Sequence, residues 1–321
     1  MAKTHQQRQP KGRGRQHDRR TQAGQRMGAS RSPWIVPLIV AALVVSGFAA
    51  WWLVAGGRGA SSSDAGGTQP IATLDTPDFH SLLVDPQTPE HIVFGSHAGI
   101  EESHDGGFTW EAGKLRDADA MQLSASPKAP ETLYATGHDV FQVSQDAGQT
   151  WRPLEHNLPG TDIHGFAQNA DNPEQLVAFV VGAGVFASAD GGTTWEPLST
   201  QPPGGGTYAI LAASGDSLYA GTDAGLAVSR DGGQSWDALP SQPSGQIISL
   251  VVAASDPQTL YVGTPSGLAK STDGGASWTS LGPDGVPVLA ITVTPGDADR
   301  VFLVSDEGGI YRSDDGGVTW R

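Results

Sequence analysis

"SRDGGQSW", residues 229–236, is a turn sequence that this chain writes six times. "SHDGGFTW" ends at Trp110, "SQDAGQTW" at Trp151, "SADGGTTW" at Trp195, "STDGGASW" at Trp278 and "SDDGGVTW" at Trp320. Successive motif tryptophans stand 41, 44, 41, 42 and 42 residues apart, and every tryptophan beyond residue 52 closes a motif. A period of this length marks a propeller or a solenoid and has to be settled before any single residue is interpreted. In the fifth unit the order is "IISLVVAA", "SDPQ", "TLYVGT", "PSG", "LAKS", "TDGGA" and "SWTSL". Four short strands joined by Gly, Pro and Asp turns describe one propeller blade. Gly and Pro interrupt every window long enough for a stable helix. The repeat predicts an all-β fold, a six-bladed β-propeller over residues 71–321.

The residue types of the motif suit a tight hairpin between the third and fourth strands of a blade. A carboxylate accepts hydrogen bonds from turn N–H groups that have no ladder partner. Glycine takes a positive φ without a Cβ penalty, and an indole buries a large apolar face. Asp105, Asp146, Asp190, Asp231, Asp273 and Asp315 therefore read as parts of the fold, with Trp110, Trp151, Trp195, Trp236, Trp278 and Trp320 as wedges between blades. The second unit departs from the others: Ala147 replaces a motif glycine, and Val140 stands where other units have Gly99, Gly184, Gly225, Gly267 and Gly309. Its turn before the third strand is expected to differ in shape.

The pattern SxDxGx[TS]W resembles the Asp-box, or BNR, repeats of the sialidase superfamily. Similar repeats occur in sortilin-type receptors, photosystem II assembly-factor propellers and xyloglucan-cleaving glycosidases. The resemblance covers residues 78–321 and implies architecture more than chemistry, because the box occurs in enzymes and non-enzymes alike. A sialidase would bring three arginines and a Tyr–Glu pair to its pocket. Here only Arg116 lies on a loop at the channel mouth, so sialidase activity is not expected.

The ring has to close, and the last unit stops at Trp320-Arg321 without the strand that follows Trp in other units. The additional stretch "PIATLDTPD" before the first unit supplies a candidate outer strand. Ile71–Leu74 is expected to pair beside Tyr311–Ser313 or the Thr319–Trp320 edge, removing an open sheet edge.

Charge divides the chain. Residues 1–33 carry nine Lys and Arg against one acid, whereas the part after residue 56 has ten against 33 Asp and Glu. The basic tail, almost without apolar residues, is expected to be disordered. It reads as a topology signal and needs no nucleic-acid partner to explain it. Between the two lies an uncharged run whose core, Trp34–Ala55, is long enough to cross a hydrocarbon layer of about 30 Å. Trp34, Trp51 and Trp52 flank it as aromatic belts do. A cleaved signal peptide is the alternative, but this run is longer than the usual core of about 7–15 residues. The expectation is a cell-membrane protein with a transmembrane signal-anchor helix over 34–55, its N-terminus cytoplasmic, a flexible linker over 56–70 and an extracytoplasmic propeller. The chain has no cysteine, which excludes disulfides and thiolate metal sites.

Function in a propeller is expected on the loops at the channel mouth: those entering each inner strand, and those between second and third strands. These loops are lopsided. Asp78, His80, His97, Asp117, Asp119, Met121, His138, Asp139, Asp162 and His164 all fall on them in the first three units, including four of the seven histidines beyond the tail. The triplets "DFH", "DAM" and "DIH" set an acid two residues before His80, Met121 and His164, on the same side of a strand. A metal ion at His80, Met121 and His164 is one reading, with Met favouring a soft ion such as copper. A polar mouth capped by Asp and filled by His is the plainer one. A glycan site is a third, with Tyr208 or Phe166 as a stacking face. The expected function is a binding or assembly module for a protein or glycan through the mouth loops of blades 1–3. The alternative is a glycoside hydrolase drawing its acid and base from Asp78, Asp117, Asp119 and Asp162.

Overall fold

A computed structural model of the chain describes residues 68–76, 78–199 and 210–321. The basic tail, the apolar segment 34–55, most of the linker, and Tyr208 lie outside the described residues. Among those described, no helix is long and apolar enough to cross a membrane.

Strand β1 (Ala72–Thr73) precedes the first blade, which comprises β2 (Ser81–Val84), β3 (Ile92–Ser96), β4 (Gly99–Ser103) and β5 (Glu111–Arg116). Blade 2 holds β6 (Gln122–Ser126), β7 (Ala129–Gly137), β8 (Val140–Ser144) and β9 (Arg152–Pro153). Blade 3 holds β10 (Ile163–Gln168), β11 (Leu176–Val180), β12 (Gly184–Ser188) and β13 (Glu196–Ser199). Blade 4 holds β14 (Ile210–Ser214), β15 (Ser217–Thr222), β16 (Gly225–Ser229) and β17 (Asp237–Ala238). Blade 5 holds β18 (Ser249–Val252), β19 (Leu260–Thr264), β20 (Gly267–Ser271) and β21 (Thr279–Leu281). Blade 6 holds β22 (Val288–Thr294), β23 (Asp297–Ser305) and β24 (Gly309–Ser313). Each blade is an antiparallel four-stranded sheet, and the sixth completes its four with β1 in the order β1-β24-β23-β22. The inner strands neighbour one another in sequence from β2 to β22, and β22 returns to β2. The all-β, six-bladed propeller expected from the repeat is the fold observed.

Closure combines β1 with the residues that follow the last box. Ala72 pairs with Ile310 and Thr73 with Gly309, so the register lies one to two residues earlier on the last strand than the expected Tyr311–Ser313. The reason is that Arg321 takes the outer position beside Arg312, exchanging N–H to O bonds of 2.8 and 3.0 Å with it. The edge of β24 is thereby covered by two short pieces. Glu90 of blade 1 accepts from Arg300 (3.0 Å) and Arg312 (3.3 Å) of blade 6, adding an ionic clasp across the same seam.

The apolar core is distributed over the seams. Six clusters of buried side chains each span two consecutive blades, and each includes one motif tryptophan from the later blade of its pair. Trp195, for example, packs among Tyr134, Phe141, Phe166 and Leu176 of blades 2 and 3. The wedge role expected for the indoles is observed at every seam.

The box is a repeated hydrogen-bonded turn. In blade 4, Ser235 N–H donates to Asp231 Oδ1 (2.9 Å) and Ser235 Oγ to Oδ2 (2.5 Å). Ser229 Oγ donates to Asp231 Oδ1 (2.7 Å) and accepts from Gly233 N–H (2.7 Å). These donors stabilise the ionised carboxylate, and the Ser235 hydroxyl first among them holds Asp231 down at about 2. In blade 2 the turn before the third strand does differ. Positive φ there falls on Asp139 (56°), one residue ahead of the position that Gly99 (120°), Gly184 (106°) and Gly225 (104°) occupy elsewhere.

Candidate functional site

Hydrogen bonds distinguish the two faces of the disc. On one face the box turns are tied to the loops between first and second strands, as Gly106 N–H to Glu90 O (2.9 Å) and Gly191 N–H to Glu174 O (3.0 Å). On the other, segments entering the inner strands are tied to turns between second and third strands: Asp117 N–H to Ala98 O (3.0 Å), Ala120 N–H to Ser96 O (3.0 Å) and Val181 N–H to Asp162 O (2.9 Å). The six box carboxylates are thus committed to turns on the face away from the mouth.

At the mouth of blades 1–3 the aspartates orient histidines. In blade 1, Asp78 Oδ1 accepts His97 N–H (2.7 Å) while its Oδ2 lies 3.1 Å from His97 Nδ1. In blade 2, Asp119 Oδ2 accepts His138 N–H (3.3 Å) and lies 2.5 Å from His138 Nδ1. A carboxylate on Nδ1 fixes the tautomer, leaving Nε2 as a lone-pair donor. Both Nε2 atoms then meet a second histidine: His97 Nε2 stands 3.1 Å from His80 Nε2, and His138 Nε2 stands 3.0 Å from His164 Nε2.

Each pair has a third member. Asp78 Oδ1 is 3.3 Å from His80 Nε2, and Asp162 Oδ1 is 2.9 Å from His164 Nε2 and 3.8 Å from His138 Nε2. The pairs are linked through Asp119, whose Oδ2 also comes within 3.7 Å of His97 Nε2. The other oxygen of Asp119 is buried without a hydrogen-bond partner. Local structure explains the placement. His80 and His164 sit at the start of inner strands, His164 within a register shift between Ile163 and Gly165, while His97 and His138 occupy equivalent turns one blade apart. His164 is buried, whereas His97 and His138 are about half exposed. Burial first, and the neighbouring His97 second, bring His80 down to about 4. The hydrogen bond with His164 holds the Asp162 carboxyl below its ordinary range.

The remaining candidates fall outside this cluster. Met121, half-buried at the position equivalent to His80 and His164, takes no part in these polar contacts. Asp117 is exposed with φ of 52°, and exposed Asp139 accepts from Thr161 Oγ1 (3.3 Å). Phe166, offered above as a stacking face, is instead buried against Tyr134 and Phe141 in the seam of blades 2 and 3. The equivalent turns of blades 4–6 carry Asp223, Pro265 and Asp306 in place of histidine. Arg300, Arg312 and Arg321 gather on Asp314 at the blade 6 edge.

Sequence reasoning missed a second histidine group at the other face. His91 Nδ1 lies 3.0 Å from Asp85 and its Nε2 3.3 Å from Glu102, and its ring stacks on His104 at 4.5 Å. The signal was available: Ile92 opposes Ser103, which sets the preceding His91 across from His104.

Comparison with known proteins follows the fold. A family model described as photosynthesis system II assembly factor YCF48 matches residues 73–216 and 211–321. Among solved structures, YCF48 from Cyanidioschyzon merolae is 19% identical, with 79% of this chain and 87% of that chain covered at a TM-score of 0.51. A structure of YCF48 bound to D1 peptide is also 19% identical, covering 82% and 86% at 0.50. The GH74 xyloglucanase from Xanthomonas campestris is 17% identical over 74% of this chain, at 0.52, and this chain spans 45% of its length. These likenesses establish the fold. No curated protein matches the chain.

Proposed function

The chain belongs to the photosynthesis system II assembly factor YCF48 family, and from that membership we propose that it is a binding or assembly module that takes a protein segment at the mouth of blades 1–3. The observation that carries the reading is the convergence of His80, His97, His138 and His164 with Asp78, Asp119 and Asp162 on one side of a sixfold scaffold. A repeat that only had to fold would treat its six mouths alike. That one structure of YCF48 is bound to D1 peptide supports a peptide as the class of ligand. Residues 34–55 anchor the chain in the cell membrane, with the basic tail in the cytoplasm and the propeller outside it. Of the four carboxylates a glycoside hydrolase could draw on, Asp78, Asp119 and Asp162 stand against histidine rings, which favours binding.

The test is a photo-reactive side chain placed at exposed Asp117 in the full-length protein, in its native membrane, with Gln234 on a box turn as the control position. The expected result is one discrete polypeptide segment, mapped by mass spectrometry, cross-linked from 117 and lost when His97 and His138 are changed to Ala. Equal labelling from both positions would overturn the assignment of the face.

A further inference from the structure

We propose that the mouth holds a pair of divalent transition-metal sites of the zinc class, each made of two histidines and one aspartate: Asp78, His80 and His97 in the first, and His138, Asp162 and His164 in the second. The inference does not depend on which segment the mouth binds. It rests on a proton count and on a distance.

The count concerns one N–H. In the second set His138 Nδ1 is committed to Asp119, so His138 Nε2 presents a lone pair. His164 Nε2 faces that lone pair at 3.0 Å and Asp162 Oδ1 at 2.9 Å, and Asp162 Oδ1 faces His138 Nε2 at 3.8 Å. A single imidazole proton cannot satisfy both acceptors. In the first set His97 Nδ1 is turned to Asp78 Oδ2, so His97 Nε2 presents a lone pair to His80 Nε2 at 3.1 Å, while Asp78 Oδ1, which already accepts the His97 backbone N–H, stands 3.3 Å from the same His80 Nε2. A divalent cation at the centre of each triangle replaces that one proton and serves all three lone pairs.

The distance agrees. Zinc–nitrogen and zinc–oxygen bonds of about 2.0–2.2 Å set tetrahedral neighbours about 3.3–3.6 Å apart. Five donor separations in the two sets, 2.9 to 3.8 Å, bracket that edge. The arrangement behind the donors is also that of metal proteins, in which a carboxylate on the far ring nitrogen orients a ligating histidine. Asp78 does this for His97 and Asp119 for His138. Asp119 Oδ1, buried and without a partner between the two sets, supplies further negative potential. Imidazole with carboxylate suits zinc, iron, nickel or copper over calcium or magnesium, and no sulfur is required. Met121 is therefore outside the sites.

The experiment is zinc titration of the full-length chain in detergent, after chelation and dialysis, read by calorimetry and by elemental analysis. It uses a background in which His5 and His17 of the tail are changed to Gln. Two ions per chain are expected. His97→Gln and His138→Gln, both at half-exposed turns, should each remove one, with the far-UV spectrum and thermal midpoint of the metal-free protein unchanged. Asp119→Asn keeps every donor of the second set and should weaken that site about 10- to 100-fold, as the loss of an orienting carboxylate does. Met121→Leu and His104→Gln should leave both ions. Absence of stoichiometric zinc would overturn the proposal, as would loss of zinc with His104→Gln instead of the mouth variants. Cross-linking from position 117 reads the partner separately, so either result can fail without the other.

Discussion

At the scale of the residue, the Asp-box shows why six acids can be essential without being catalytic. Asp231 collects N–H and O–H donors of the turn, and Ser229 Oγ accepts the buried Gly233 N–H. Ser229→Ala leaves that N–H unsatisfied and should cost about 1–3 kcal/mol, measured by urea unfolding. Asp231→Ala should lower the thermal midpoint as well, with the effect fading as pH falls toward about 2, where the native carboxylate protonates. The His91 group gives a second pH signature. Its hydrogen bond to Glu102 raises His91 and lowers Glu102. The stability from His91 is full below its ordinary 6.5 and is lost as pH rises through the native value, and that from Glu102 is full above 4.5 and is lost on acidification. His91→Gln should therefore lower the midpoint most between pH 4.5 and 6.5 and least at alkaline pH. The mouth residues were legible in the sequence as a list because turns and strand starts can be counted. Their partners were not. His80 and His97 are 17 residues apart and His138 and His164 are 26 apart, and which Nε2 meets which depends on the tilt of the blades. Repeat equivalence instead grouped His80 with Met121 and His164, residues that share a register but not a contact.

At the scale of the element, the repeat sets a backbone rule that one blade breaks. The fourth motif position is glycine at 106, 191, 232, 274 and 316, with φ between 68° and 80°, and Ala147 holds 56° at the same place. An L-residue in the left-handed region costs about 1–2 kcal/mol. Ala147→Gly should release part of it and raise stability by up to about 1 kcal/mol, after the entropy glycine loses on folding. The converse change is harsher. A Cβ at Gly192, φ 93°, would come within 2.8 Å of Leu154 and 3.2 Å of Leu176, so Gly192→Ala should destabilise by more than that strain alone. Sequence reading found the irregular blade from Ala147 and Val140 because glycine at a positive φ is a local requirement. It placed β1 too far along β24, because nothing local announces that Arg321 already occupies the edge beside Arg312.

At the scale of the whole molecule, stability lies in seams, and the last seam depends on residues 71–74. Leu74 is buried against Leu82, Phe302 and Ile310 of blades 1 and 6. Leu74→Ala should cost about 2–5 kcal/mol, read as a fall in the denaturant midpoint. The six-bladed fold was legible almost entirely from the period of the motif, since a repeat of that length has few ways to bury its apolar faces. The asymmetry that turns a scaffold into a binding surface was legible only as composition. The proposed topology is open to direct test because the natural chain has no cysteine. In intact cells an impermeant maleimide should label Gln234→Cys and spare Thr4→Cys.

The most direct measurement of the central claim is hydrogen exchange on the full-length chain, with and without the segment captured from position 117. The account predicts slowed exchange at residues 96–98, 117–121, 137–139 and 162–165, with the box turns and the mouths of blades 4–6 unchanged. Protection confined to the box turns, or spread evenly over all six mouths, would contradict it.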